Sequence, residues 1–331
     1  MGRIVTLGEL LIRLSPPGER TLKQTDQWNV YVGGAEMNVA VAFSSLGGDA
    51  RTLTALPDNA VGGMALAALR KEGVDTSFIA RQGSRVGLYF VEKGTSERPS
   101  KVTYDRAFSS FTGWTPENLV WDELFKGVDV LHTTGITLAL GTTARQAALA
   151  VVKEASRRGI RISFDFNYRS KLWEINEAKQ AFQEILPYVD ICFGSSKDLT
   201  HILGYGKEEQ ADLVTSFMKE YDIECFASMT RTTYSNTKHT LQASVMHKQK
   251  GTAYSPAFDV TIHDRIGGGD AYAAGLLYQL VHHAGRSQED QIQFAAAAGV
   301  LAHSIDGDAF VLAKEDVEAF IQSQDGSGVV R

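Results

Sequence analysis

Residues 264–270 read Asp-Arg-Ile-Gly-Gly-Gly-Asp and are followed at once by a run of small and apolar residues. Three consecutive glycines, Gly267, Gly268 and Gly269, let the backbone approach a ligand closely and adopt conformations that a Cβ would forbid. A helix that begins here has free N–H groups and the positive end of its dipole beside the glycines, which favours an anion. Asp270 would accept a proton from an attacking hydroxyl while the amides stabilise a transferred phosphoryl group. The alternative is a plain loop in which Asp270 only caps the helix.

A second glycine pair, Gly33-Gly34, precedes another helical pattern that contains Asn38. The backbone at this pair could admit a polyhydroxylated substrate, and the amide of Asn38 could hydrogen-bond hydroxyl groups. Taken alone the pair is a weak signal, because any tight turn before a helix can have the same sequence.

The elements that must position these motifs alternate between strand and helix patterns, which favours a parallel sheet covered by helices. We predict strands at residues 4–14, 129–134, 160–166, 190–194 and 225–230. Helices are predicted at residues 35–46, 61–72, 142–158, 270–283, 288–303 and 314–322.

Two extended segments, 87–93 and 101–105, are joined by a polar turn and interrupt this alternation. An antiparallel ribbon inserted early in an α/β chain is a candidate lid over a ligand site. The alternative is an edge hairpin without a function.

Composition excludes several classes of protein. The 331 residues carry a formal net charge of -6, and no basic surplus supports nucleic-acid binding. Two cysteines, Cys192 and Cys225, are too few for a disulfide scaffold. The chain has no signal-peptide pattern at its start and no apolar run of about 20 residues, so we expect a cytoplasmic protein without membrane contact.

Other motifs are absent or uninformative. The chain has no Gly-x-x-x-x-Gly-Lys-Ser/Thr sequence, which disfavours a P-loop kinase. A single Gly8 follows the first strand in place of Gly-x-Gly-x-x-Gly, which disfavours a dinucleotide dehydrogenase. The eight histidines show no close metal-ligand spacing.

Together, the two glycine motifs resemble the two signatures of the ribokinase-like (PfkB-type) sugar kinases, and the resemblance covers roughly residues 3–322. Within that family the chain is most similar to the 2-keto-3-deoxygluconate kinases. The residues that carry this similarity are Gly8-Glu9, residues 87–90, 104–107 and 165–169, Leu172-Trp173 and Gly307-Asp308.

The resemblance implies an α/β, ribokinase-like fold with a central, mostly parallel sheet flanked by helices and a small β-sheet lid. It implies one kinase domain over residues 1–322, with the lid drawn from about 10–34 and 87–106, and a flexible tail at 323–331. It also implies a homo-oligomer.

The implied activity is ATP-dependent phosphorylation of 2-keto-3-deoxygluconate with Mg²⁺ and Asp270 as the catalytic base. Gly267, Gly268, Gly269 and Asp270 would form the anion hole. The implied contacts to the sugar acid are Gly34, Tyr89, Tyr104, Arg106, Arg169, Asp270 and Asp308. Those to the nucleotide are Asn167, Arg169, Ser195, Thr230, Arg231, Gly267 and Gly269.

The sequence departs from the family pattern at three places. Arg265 and Gly268 replace the usual Thr and Ala of the glycine motif, and both changes keep the amides and the base. Ser195 and Asp198 only approximate the Asn-x-x-Glu motif that organises magnesium in many relatives, so the metal ligands stay open. Residues 230–235 lack the glycine-rich turn that is common in the nucleotide segment.

Charge bears on the substrate class. An acidic protein that binds ATP and a carboxylate needs local positive charge, which Arg106 and Arg169 can supply through a bidentate fork. The alternative for each is a surface arginine in a weak ion pair. Two other functions therefore stay open: a kinase for a neutral sugar such as fructose or ribose, and a catalytically silent sugar-binding protein on the same fold.

Overall fold

The computed structural model describes residues 2–95, 97–206 and 210–324. The strands are β1 Arg3–Leu7, β2 Leu11–Ser15, β3 Asn29–Gly33, β4 Asp49–Leu53, β5 Ala55–Leu56, β6 Ala80–Arg81, β7 Gly87–Glu92, β8 Lys101–Asp105, β9 Val128–Thr134, β10 Arg161–Asp165, β11 Ile191–Phe193, β12 Cys225–Thr233, β13 Lys238–His247, β14 Gly251–Tyr254 and β15 Phe258–Thr261. The helices are α1 Ala35–Ser45, α2 Ala60–Lys71, α3 Trp121–Leu124, α4 Gly135–Leu138, α5 Thr142–Arg157, α6 Ile175–Ile185, α7 Gln210–Tyr221, α8 Gly268–His282, α9 Gln288–Ala302 and α10 Lys314–Gln324.

A central sheet of nine strands is formed within these ranges, in the order β14-β13-β12-β11-β10-β9-β1-β4 with β15 also paired to β13. Neighbours from β4 to β12 run parallel, and β13 to β15 add an antiparallel end. Alternate side chains of the strands enter two separate cores: Ile191 and Phe193 enter one, and Cys192 the other. This arrangement, with helices over both cores, confirms the predicted fold class.

A separate sheet of four strands, β3-β2-β7-β8, is called the small sheet below. Its central pair β2 and β7 is parallel, whereas β2–β3 and β7–β8 are antiparallel. The two segments predicted to be extended, 87–93 and 101–105, are therefore strands of one hairpin. Whether this sheet closes over a ligand stays a prediction, as do the limits of the kinase domain.

The continuous strand predicted for residues 4–14 is wrong, because β1 and β2 belong to different sheets. The chain leaves the central sheet at Gly8, where a Cβ would lie 2.2 Å from the carboxyl group of Glu36. The apolar pattern continues across this break because residues on both sides are buried, so hydrophobicity alone does not reveal it.

Two other predicted boundaries also change. The strand predicted for residues 225–230 continues to Thr233, because β13 pairs with it in antiparallel register over its whole length. The last helix extends to Gln324, so the tail predicted from residue 323 begins too early, and residues 325–331 lie outside the described part of the chain. No helix of the described residues is long and apolar enough to cross a membrane.

The parallel strands all end at the same edge of the central sheet, and the loops that follow β1, β9 and β10 start there. Strand β1 lies between β4 and β9 in the sheet. The next strand of this sheet along the chain, β4, is therefore added on one side of β1, and the one after it, β9, on the other side. Crevices at such a reversal are where open α/β sheets bind ligands.

Candidate active site

A cavity of about 400 Å³ lies at this edge, between the small sheet and the first turns of α1 and α8. It collects residues from Glu9 to Asp270, 261 positions apart in sequence, only because the carboxyl ends of the strands meet there. The predicted site residues that line it are Gly34, Tyr89, Tyr104, Arg106, Asn167, Arg169, Arg231, Gly267, Gly268, Gly269 and Asp270.

The first turn of α8 forms one wall. Gly267 has a φ of 85°, and a Cβ there would lie 1.9 Å from the backbone oxygen of Asp308. A Cβ on Gly268 would lie 2.5 Å from the imidazole of His303. The first amide to bond within the helix is that of Ala271, which donates to the Gly267 carbonyl at 2.8 Å. The preceding amides therefore have no intrahelical acceptor and stay available to an anion.

Asp270 is the acid of this turn. Its Oδ2 accepts a hydrogen bond from Nδ2 of Asn38 at 2.7 Å. Removal from water raises the pKa of Asp270 to about 6, while the Asn38 bond and the positive charge of Arg169 act in the opposite direction. A carboxylate with this pKa is ionised at neutral pH and close to the range that suits a general base.

Asp165, at the end of β10, is a second acid in the cavity. Removal from water, followed by the negative charge of Asp270, raises its pKa to about 7. Arg169 is exposed at the cavity, has no ion pair with any described residue, and lowers the pKa of both acids. Asp165 and Asp270 therefore lie near a cation, Arg169, that no described carboxylate pairs with.

Arg106 is placed differently from the expectation of a free cation. It is buried together with Glu9, and its Nε donates to Glu9 Oε2 at 2.7 Å. The other carboxylate oxygen of Glu9 has no partner among the described residues. Arg106 thus reaches the cavity with its charge largely offset.

Asp308 is not brought into the cavity. Its side chain is fully buried, with Oδ1 held by Nη1 of Arg13 at 2.8 Å and Oδ2 accepting the hydroxyl proton of Tyr89. Tyr89 in turn stacks on Tyr104 with ring centroids 5.8 Å apart. Each oxygen of Asp308 therefore already accepts one side-chain hydrogen bond, and the direct contact to sugar expected for this residue stays a prediction.

Thr230 and Ser195, which were predicted to bind the nucleotide, also lie outside the cavity lining. Thr230 and Arg231 are consecutive on β12 and point to opposite faces, so only Arg231 reaches the cavity and Thr230 lies in a groove beside α7. Ser195 donates its amide and its hydroxyl to Asp198 Oδ2, at 2.8 and 2.7 Å. Arg265, which replaces the usual Thr, donates to the backbone oxygen of Asn236 at 2.8 Å.

The sequence analysis did not assign roles to Glu9, Glu36, Asp165 and Arg265, all of which line the cavity. Asp165 could have been found, because it lies near the end of the strand predicted for residues 160–166, whereas Glu9 lies in the middle of the strand predicted for residues 4–14. Glu36 and Arg265 had no such signal, since their places depend on elements far away in the sequence.

Residues 1–312 match the model of the pfkB family carbohydrate kinases. The chain is 32% identical to a 2-dehydro-3-deoxygalactonokinase of Haloferax volcanii, over 97% of both proteins.

Two solved structures are also similar. One is a PfkB family carbohydrate kinase from Listeria grayi, with 38% identity, a TM-score of 0.92 and coverage of 97% of this chain and 99% of that one. The other is a 2-dehydro-3-deoxygluconokinase from Thermotoga maritima, with 35% identity, the same TM-score and coverage of 97% and 98%. By its family match, its relatives and its fold, this chain belongs to the pfkB family of carbohydrate kinases.

Proposed function

We propose that this carbohydrate kinase transfers the terminal phosphoryl group of ATP to the terminal hydroxyl of 2-keto-3-deoxygluconate, forming 2-keto-3-deoxy-6-phosphogluconate. The observation that carries the proposal is the position of Asp270, an ionised carboxylate in the cavity at the helix end that offers free amides.

In this reaction Asp270 takes the proton of the attacking hydroxyl, and the amides of residues 267–269 hold the charge that develops on the phosphoryl group. Asn38 fixes the orientation of the carboxylate through its bond to Oδ2. Arg231 and Arg265 also line the cavity and supply positive charge for the nucleotide phosphates.

The preference for a sugar acid is supported by Arg169, whose guanidinium is exposed and unpaired in the described cavity. An arginine in this state can bind a carboxylate with two parallel hydrogen bonds. The 2-dehydro-3-deoxy sugar acids in the names of the Haloferax volcanii and Thermotoga maritima relatives support the same substrate class. They also leave the galactonate and gluconate epimers as close competitors.

Magnesium fits the donor chemistry of this site. No group of three or more metal-binding side chains is found in the described residues, but Asp198 lies close enough for its charge to raise the pKa of Asp165. Mg²⁺ commonly uses one or two carboxylates together with substrate phosphates. When bound it would neutralise phosphate charge, and Asp165 with Asp198 would hold it.

A neutral-sugar kinase is the second candidate, and the pairing of Arg106 with Glu9 favours it. This ion pair removes one of the two cations that a carboxylate substrate was expected to use. A neutral sugar would leave the Arg106–Glu9 ion pair intact and would place its hydroxyls against Tyr89 and Tyr104.

An assay of ADP release separates these functions. The panel contains 2-keto-3-deoxygluconate, 2-keto-3-deoxygalactonate, fructose and ribose, with Asp270→Asn as the control for contaminating kinases. We expect the highest kcat/KM for 2-keto-3-deoxygluconate. A preference for fructose or ribose would replace the proposal by the second candidate, and the galactonate epimer would change only the substrate. Sugar binding without ADP release from any compound would indicate a catalytically silent protein.

A further inference from the structure

Glu9 and Gly87 belong to motifs that carry the family resemblance, yet the proposed reaction gives neither of them a role. Both lie against Arg106, which lines the cavity and whose side chain is nine-tenths buried. Glu9 follows β1 of the central sheet, Gly87 opens β7 of the small sheet, and Arg106 follows β8. The three residues therefore meet only in the folded protein.

Arg106 binds Glu9 with one edge of its guanidinium group. Nε donates to Glu9 Oε2 at 2.7 Å, and Nη2 donates to the same oxygen. The guanidinium carbon also lies 5.6 Å from the centre of the Tyr104 ring. No described residue accepts a hydrogen bond from Nη1 of Arg106. Because the guanidinium is planar and rigid, fixing its Nε–Nη2 edge also fixes the direction of Nη1, which is the nitrogen left for a ligand.

Gly87 leaves the space into which this pair fits. A Cβ at residue 87 would lie 2.6 Å from Leu11 Cδ2, 2.9 Å from Glu9 Oε1 and 3.1 Å from Arg106 Cβ. Gly87 is not among the glycines with a positive φ, so the backbone conformation does not itself demand glycine here. The requirement for glycine comes from the packing of these side chains.

Stability alone does not explain the position of Glu9. Its Oε1 is buried and has no hydrogen-bond partner among the described residues. A buried acceptor without a partner loses the hydrogen bonds that water would supply, which is costly. The side-chain hydrogen bonds of Glu9 in the described chain run through Oε2 to Arg106. What this residue accomplishes in the fold is therefore the orientation of Arg106.

We propose that Glu9 is a positioning residue, which turns Arg106 so that Nη1 meets an oxygen of the bound sugar substrate, and that Gly87 provides the room for this arrangement. Glu9 offsets the charge of Arg106, so the direction of one N–H group decides what Arg106 contributes. The inference deepens the proposed function and rests on it for the identity of the sugar, but not for the orientation of Arg106.

The kinetic test compares Glu9→Ala with the conservative variant Glu9→Gln. A misplacement of about 1 Å can cost about 10²-fold, so kcat/KM for the sugar should fall about 10- to 100-fold in Glu9→Ala, with KM for ATP little changed. Glu9→Gln keeps an acceptor oxygen for Arg106 and should restore part of the loss. Equal losses in the two variants would mean that Glu9 acts only through its charge, and unchanged kcat/KM in Glu9→Ala would mean that it does not act on the substrate. Either result would overturn the proposal.

The double variant of Glu9→Ala with Arg106→Ala tests whether Glu9 acts through Arg106. Because the two side chains form one chain of contacts, the double variant should have about the same kcat/KM as Arg106→Ala alone. Additive losses would show that Glu9 acts independently of Arg106 and would contradict the positioning role. Should Glu9→Ala fail to fold, Gly87→Ala takes its place, because the added methyl group displaces the carboxylate without removing it.

Asp75→Asn is the matched control, because it breaks another partly buried pair, Arg51–Asp75, outside the cavity lining. It should lower Tm and leave kcat/KM for the sugar within about twofold, since it shares no contacts with the site. An equal loss of kcat/KM in this control would reduce the effect of Glu9→Ala to general destabilisation and would also overturn the proposal.

A second measurement needs no substrate. Phenylglyoxal modifies accessible guanidinium groups, and peptide masses report the modification of each arginine separately. In the ligand-free protein Arg106 should react several-fold faster in Glu9→Ala than in the wild type. Arg169, which has no ion pair in the described chain, should react equally in both and serves as the internal reference. If no sugar is phosphorylated, the proposed function fails while faster modification of Arg106 still supports the role of Glu9; unchanged modification overturns that role alone.

Discussion

Two described helices of this protein, α1 and α8, begin after glycine and carry an acid in the first turn, yet we propose a catalytic role for only one of these acids. Gly34 precedes α1 with a φ of 132°, and Gly267 precedes α8 with a φ of 85°. A Cβ would lie 2.3 Å from the carbonyl oxygen of Glu9 in the first case and 1.9 Å from that of Asp308 in the second. The local backbone requirement is therefore the same at both helices.

The acids of the two first turns differ in their partners. Glu36 of α1 is buried, and its Oε1 accepts from the amide and hydroxyl of Thr134 and from the hydroxyl of Thr137, at 3.1, 2.7 and 2.7 Å. Asp270 of α8 accepts from Asn38 and faces the cavity. A carboxylate whose oxygen is already bonded three times holds structure, whereas one with free lone pairs can accept a proton.

Each acid also has its own arginine. The charge of Arg106 lowers the pKa of Glu36, against the larger effect of burial, and the charge of Arg169 lowers that of Asp270. Arg106 is committed to Glu9, while Arg169 has no ion pair in the described chain. The acid near the committed arginine holds structure, and the acid near the free arginine is the one proposed to act on the substrate.

The largest expected effect is that of Asp270→Asn. Loss of the general base should lower kcat by about 10²–10⁴-fold and leave sugar binding largely intact. Glu36→Gln is the matched substitution at the other helix, and there we expect a lower Tm with kcat changed by no more than a few-fold. Steady-state kinetics and thermal unfolding of both variants measure the contrast. Near-wild-type turnover of Asp270→Asn would contradict the assignment of Asp270 as the general base.

Gly267→Ala should have the next largest effect. The methyl group would displace the Asp308 backbone and tilt the free amides, and loss of one such donor costs about 10²–10³-fold in kcat. Gly269→Ala controls for folding, since a Cβ at this position meets nothing within 4 Å and should leave Tm unchanged. Equal kcat for Gly267→Ala and wild type would remove the anion hole from the proposed reaction.

The two arginines should separate binding from stability. Arg169→Ala removes a charge-assisted bond worth about 1.5–3 kcal/mol and should raise KM for the sugar acid roughly 10–150-fold, with a smaller loss for fructose. Arg106→Ala leaves Glu9 as an unpaired buried charge and should lower Tm more than Arg169→Ala does. If Arg169→Ala raises KM equally for the sugar acid and for fructose, the proposed preference for a sugar acid is wrong.

A smaller effect is expected from Asn38→Ala. Asp270 must be ionised to accept a proton, so kcat rises with pH through its pKa of about 6. The Asn38 bond favours the ionised form and lowers this pKa; its loss should move the acid limb of the kcat profile to higher pH. Asn59→Ala removes a cap of α2 outside the cavity and should change Tm without moving the limb. An unmoved limb in Asn38→Ala would show that the bond does not tune the base.

The smallest expected effect is on amide hydrogen exchange and not on the rate of the reaction. If the small sheet closes over the sugar, amides of β7 and β8 should exchange faster in the free protein than under saturating substrate. The amides of α5, on the opposite face of the central sheet, serve as the internal reference. Identical exchange in both states would mean that the hairpin is only structural.

The fold class was predictable from the sequence because strand and helix patterns have different periods and alternate along most of the chain. The starts of α1 and α8 were also predictable, because each follows glycines that the local backbone conformation requires. The break between β1 and β2 was not, because both sides of the break are buried and show the same apolar pattern. Nor was the antiparallel end of the central sheet, which depends on pairing between β12 and β13.

Within the site, the identity of the reacting groups was also local. Asp270 beside three glycines predicted a base at an anion hole from a stretch of seven residues. The states of Arg106 and Asp308 were not local, because their partners Glu9 and Arg13 are 97 and 295 positions away. Arg106 and Arg169 looked alike in the sequence, and only the presence or absence of an ion-pair partner among the described residues distinguishes them.

The sequence by itself therefore determined the alternation of elements, the two glycine-initiated helices and the types of chemical group that the cavity contains. The tertiary structure alone decided which of those groups are free. A carboxylate or guanidinium acts on a ligand only through lone pairs or protons that no other residue occupies, and occupancy depends on neighbours that the fold brings together. That is why Glu36 and Asp270 begin from similar local sequences and end in different roles.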